Sequence, residues 1–122
     1  MEQDVQGRRL VKEKPMFALV EECQAKDGRG MQISAKVTND VLPILQEQPG
    51  FVDFLALSDE TNAERLVCIS FWASQEDAEE YHRQHHETIT GMLEPVLEFP
   101  PTLKIFNVSA STAHRIAIRR AA

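Results

Sequence analysis

Cysteine is scarce in this chain: Cys23 and Cys68 are the only two in 122 residues. That number rules out a disulfide framework, and their spacing matches no metal or redox motif. Each lies inside an apolar run, "FALVEECQA" and "RLVCISFW", so both read as reduced, small core residues. Glycine is also sparse, with five in all, and "DGRG" opens no strand-to-helix fingerprint, which argues against a phosphate-cradling loop. Serine occurs without a nucleophile-elbow motif, so acyl-transfer chemistry is not indicated. No run approaches the roughly 18 apolar residues of a membrane span. The opening "MEQDVQGRRLVKEK" has no apolar core of a signal peptide, and the expected location is cytoplasmic. Basic charge is in deficit too. The net charge is −6, and residues 16–108 hold six basic against sixteen acidic groups. Phosphate attraction needs a basic surface, so neither nucleic acid nor membrane is expected as a partner.

What remains is an ordinary globular composition, 43% apolar and 26% charged, in a length that suits one domain. Residues 1–14 are polar and aperiodic and read as a mobile N-terminal tail. "PMFALVEECQA" reads as a strand in which Phe17, Leu19 and Cys23 alternate with Ala18 and Val20. "KDGRG" is a turn. Between Met31 and Gln48, Ile33, Val37, Val41, Ile44 and Leu45 form one helical stripe, with a kink or a second short turn expected at Pro43. "QPG" stops this helix. "FVDFLALS" and "RLVCISFW" form an antiparallel hairpin through "DETNAE". Ser74 caps a second helical region over 75–97, with Glu76 and Asp77 in its first turn and a break allowed near 84–86. "FPP" ends it, and "TLKIFNV" is the last strand. The order β-α-β-β-α-β defines an α+β class with an antiparallel ferredoxin-like sheet.

The strands are apolar on nearly both faces, since Val67, Ile69 and Phe71 alternate with Leu66, Cys68 and Trp72. Two helices cover only one face of a four-stranded sheet. The other face therefore needs a partner, and a two-fold homodimer is the simplest closed solution. Residues 109–122 continue past the last strand with three Arg and no acid. There Ile116 and Ile118 alternate with Arg115 and Arg119, as in a short arm laid on the partner.

Three stretches, "QPGF", "FWASQEDAEEYHRQHH" and "PTLKIFNV", together with the Trp72-x-Ser74 step, resemble the antibiotic biosynthesis monooxygenase superfamily of dimeric α/β barrels. The resemblance covers about residues 15–108. It implies a cofactor-independent monooxygenase acting on a small aromatic quinol or phenol. A non-catalytic dimeric module for a small apolar ligand is the alternative, and a haem-binding or haem-degrading protein a third. In the haem-degrading branch an Asn in strand 1, a Trp in helix 2 and an axial His do the work. An ungapped matching puts Glu22, Tyr81 and Gly91 there, although a gap brings His85 or His86 to the last place.

His86 falls where many quinol-oxidising members also carry a His. An imidazole titrates near neutral pH, so His86 is the candidate general base. Its alignment with Ile89 and Leu93 predicts that it faces the sheet. Tyr81 and Trp72 join it as candidate catalytic residues, a hydrogen-bond donor and an aromatic wall. His82, His85, Phe71 and Phe54 are candidate substrate-binding residues. Glu79, His82, His85 and His86 share helical spacing that a metal could exploit. The polar edge of a helix has the same spacing, and neither metal nor other cofactor is expected.

Overall fold

A computed structural model describes residues 16–113. The elements are β1 (Phe17–Gln24), α1 (Gly30–Lys36), a π-helical turn (Val37–Val41), α2 (Leu42–Gln46), β2 (Phe51–Asp59), β3 (Asn62–Trp72), α3 (Gln75–Leu93), a 3-10 turn (Glu94–Val96) and β4 (Thr102–Asn107). The strands form one antiparallel sheet in the order β2-β3-β1-β4. Each helical connection thus skips one strand, the ferredoxin-like arrangement expected from the sequence. The N-terminal tail of residues 1–14, and the arm positions Arg115, Ile116, Ile118 and Arg119, lie outside the described residues.

Local chemistry sets the boundaries. Ser74 has extended backbone, and its hydroxyl accepts from the Asp77 N–H at 3.0 Å. Glu76 and Asp77 place negative charge where the first-turn amides point. Gly50 has φ +77°, and a Cβ there would collide with Asp77; glycine alone lets the chain turn from α2 into β2. The first helical region departs from the sequence reading in kind. Pro43 has no N–H, and its ring crowds the carbonyl of residue 39. The helix widens into a π-helical turn upstream of Pro43, where the Leu42 N–H donates to the Val37 carbonyl, five residues back, and a separate short helix follows. α3 runs unbroken through residues 84–86. Its continuation ends at Leu93, where Pro95 forces a 3-10 turn.

Register decides what each face of the sheet carries. Leu19, Glu21 and Cys23 of β1 pair with Ser70, Cys68 and Leu66 of β3. Phe51 and Phe54 of β2 extend these rows opposite Trp72 and Ser70. This face packs against the helices in one core centred on Trp72 and Ile33, which are 0% and 1% exposed. The opposite face carries Leu55, Ile69 and Val20 in one row, and Phe71, Ala18 and Phe106 in the next. Its Leu55, Leu57 and Phe106 are about half exposed. At the end of that face Arg65 bridges Glu22 at 3.1 Å and Asp59 at 3.2 Å. No helix among the described residues is long and apolar enough to cross a membrane.

Candidate functional site

Strand alternation and helical periodicity converge on a small cavity between the sheet and the helical layer. β1 contributes Leu19, Glu21 and Cys23, β2 Phe54, and β3 Cys68 and Ser70. Val37 and Val41 enter from the π-helical turn, Leu45 from α2, and Tyr81, Ile89 and Leu93 from α3. The cavity volume is about 20 Å³, room for about one water. Aliphatic and aromatic groups dominate the lining, and the polar exceptions are one carboxylate, one phenol, one hydroxyl and two thiols.

The polar groups constrain one another. The Tyr81 ring stacks on Trp72 at 4.9 Å between centroids and 27° between planes, and on its other flank meets His85 at 5.7 Å. Burial raises the Tyr81 pKa, helped by the charge of Glu21 and by Cys68. Its hydroxyl is therefore a neutral donor throughout the physiological range. Burial also raises the Glu21 carboxyl above its ordinary value, and among the described residues no opposing charge or donor acts against that shift. The Cys68 thiol is pushed up strongly by its hydrogen bond with Cys23, then by burial, which makes it inert as a nucleophile. Ser70 is already engaged: its hydroxyl accepts from the Trp72 indole N–H at 2.8 Å.

Of the residues singled out from sequence, Tyr81 and Phe54 line the cavity. Trp72 stands behind Tyr81 as a fully buried wall, edge-on to Phe51 at 5.8 Å. Phe71 lies on the opposite face of the sheet, paired with Ala18 and Asp53. The expectation that His86 faces the sheet is corrected, because His86 is exposed. The buried stripe of α3 runs Ala78, Tyr81, Ile89 and Leu93, and its four-residue steps from Tyr81 pass through residue 85. His86 sits one step, about 100°, off that stripe. Its ring lies 4.4 Å from that of His82. Partial burial, then the neighbouring His86, lowers the His82 pKa. Among the described residues no three His, Cys, Asp or Glu side chains converge as metal ligands. Of the positions matched to haem-degrading residues, Glu22 is on the far sheet face with Arg65 and Gly91 is exposed, so only Tyr81 reaches the cavity.

Glu21 was missed by the sequence reading, and the signal for it was present. Residues 19, 21 and 23 share one parity in β1, so a carboxylate had to point inward between two core side chains.

An α+β ferredoxin-like domain with a ring-lined cavity under its helices defines the class. The antibiotic biosynthesis monooxygenase family model matches residues 16–88, and the chain belongs to that family. Solved structures share the fold. A protein of unknown function from Nitrosomonas europaea superposes with a TM-score of 0.70 at 16% identity, covering 83% of this chain and 96% of that one. SnoaB, a cofactor-independent oxygenase from Streptomyces nogalater, gives 0.62 at 16% identity over 80% and 95%. A Pseudomonas aeruginosa protein gives 0.60 at 16% identity over 88% and 100%. No curated protein matches.

Proposed function

We propose that this protein is a cofactor-independent monooxygenase acting on a small aromatic phenol or quinol. The observation that carries the reading is the Tyr81 phenol, a neutral donor that lines a largely apolar cavity and is backed by the stacked Trp72 ring. Family membership and the shared fold with SnoaB support it. Dioxygen reacts slowly with closed-shell molecules, and without a cofactor the substrate itself must be the reductant. Ionising a phenol makes it electron-rich. In a phenol-to-quinone conversion the ring supplies four electrons; one oxygen atom enters the ring and the other leaves as water. The residues of this chain hold the ring, exclude bulk water and donate from Tyr81 to the substrate oxygen as charge builds there.

The functional unit in this reading is a homodimer closed through the second sheet face, where Leu55, Leu57 and Phe106 stand exposed. The deciding experiment is oxygen uptake by the purified protein across a panel of dihydroxy-aromatics, with product oxygen traced from labelled dioxygen. Uptake with label in the product is expected. No uptake with any of them, combined with a raised melting temperature for some, would assign the protein to ligand binding without turnover.

A further inference from the structure

Glu21 is a costly residue for a core that has no structural use for it. It occupies the centre of the sheet, between Cys68 on β3 and Leu103 on β4. It lines the cavity instead of reaching the surface as its neighbour Glu22 does. Among the described residues its side chain makes no hydrogen bond or ion pair, and only burial acts on its titration. A partly buried, unpaired carboxylate destabilises a fold, and such groups concentrate where a ligand later satisfies them. The charged or titratable groups that face it are few: Cys68 from β3 and Tyr81 from α3, with Cys23 two residues along β1. Apart from Tyr81, the helical wall opposite offers Val37, Val41, Leu45, Ile89 and Leu93, all apolar. Among the described residues no basic group stands in the cavity lining to hold the carboxylate ionised and inactive.

We propose that Glu21 is the group that binds the substrate's hydroxyl and takes its proton, with Tyr81 donating to the oxygen left behind. This rests on the phenol or quinol reading above. The step is a proton transfer: the substrate O–H bond breaks, an O–H bond forms on the Glu21 carboxylate, and no electrons change hands until dioxygen reacts. A carboxylate whose affinity for protons has been raised by burial is a better base than one in water. The class of ligand follows, an aromatic with a free hydroxyl rather than its ether. At about 20 Å³ the cavity is far below the roughly 150 Å³ that takes up benzene in an apolar interior. Ring binding therefore requires the cavity to enlarge.

The test separates recognition from turnover. Binding of 4-fluorophenol and 4-fluoroanisole is measured by fluorine resonance for the full-length protein and for Glu21→Gln and Glu21→Leu. The wild type should prefer the phenol by about tenfold or more, the scale of one hydrogen bond to a charged acceptor. Glu21→Leu should bring the two ligands within about threefold, with Glu21→Gln between. Equal binding by the wild type, or an undiminished preference in both variants, overturns the assignment. With an oxidised substrate in hand, Glu21→Gln should lower kcat/KM about 100-fold or more and flatten its rise with pH; activity within threefold of wild type would also overturn it. If the wild type shows the phenol preference yet consumes no oxygen, the oxygenase reading fails. Hydroxyl recognition by Glu21 then stands on the binding data.

Discussion

Three side chains, two lining the cavity and one exposed on α3, make separate predictions. The folded protein raises the Glu21 carboxyl pKa, so between its unfolded and folded values the native state binds more protons. Stability then falls as pH rises through that window, and the loss persists at neutral pH. Glu21→Gln removes the penalty. Its melting temperature should exceed that of the wild type at pH 7, and the gap should close below the ordinary carboxylate range; a lower melting temperature at pH 7 would show that the carboxylate is satisfied after all. Tyr81→Phe keeps the ring stacked on Trp72 and deletes only the donor. Removal of one such donor costs on the order of 10²-fold in turnover, so steady-state kinetics should show that loss with little change in melting temperature. His86 is exposed on α3, and His86→Ala should leave oxygen uptake within about threefold. A hundredfold loss would return the base to the imidazole.

At the scale of elements, the amount legible in the sequence tracks how local the determinants are. Ser74, Asp77 and Gly50 act on their own turns, and the helix start and strand start they bound fall where expected, whereas Pro95 ends α3 at Leu93, short of the expected 97. The register of β1 was legible as well, since alternation sorts Leu19 and Cys23 from Ala18 and Val20. Two things were not. The π-helical turn at Val37–Val41 depends on how the chain upstream of Pro43 relaxes, and a helical stripe with steps of four and three cannot report it. The orientation of His86 depends on which of two adjacent helical positions meets the sheet, a difference of about 100° fixed by packing of Tyr81, Ile89 and Leu93. The thin wall of α2 yields its own test. Leu45 is 2% exposed and lines the cavity. Leu45→Ala should cost about 2–5 kcal/mol in denaturant unfolding, yet raise affinity for 4-fluorophenol by enlarging the space. Weaker binding would place the ligand elsewhere.

On the scale of the molecule, one sheet face is covered by helices and, among the described residues, the other is not. The uncovered face is apolar across its centre, with Val20, Leu55, Ile69, Phe71 and Phe106 in adjacent rows, while Arg65, Glu22 and Asp59 form a charged end. An apolar centre with a charged border is how a stable interface is built. A second copy of the chain offers the same surface under a two-fold axis, which satisfies both faces at once. An interface made this way should bury more than ~1,000 Å² in total, and folding would then be coupled to association, so that the melting temperature rises with protein concentration. Light scattering at micromolar concentration should therefore give twice the 13.8 kDa chain mass. The double variant Leu55→Lys, Phe106→Lys puts four unpaired charges into the dimer centre and should shift it to monomer or unfold it. A monodisperse wild-type monomer, folded and insensitive to dilution, would leave the apolar face without a partner and overturn the dimer.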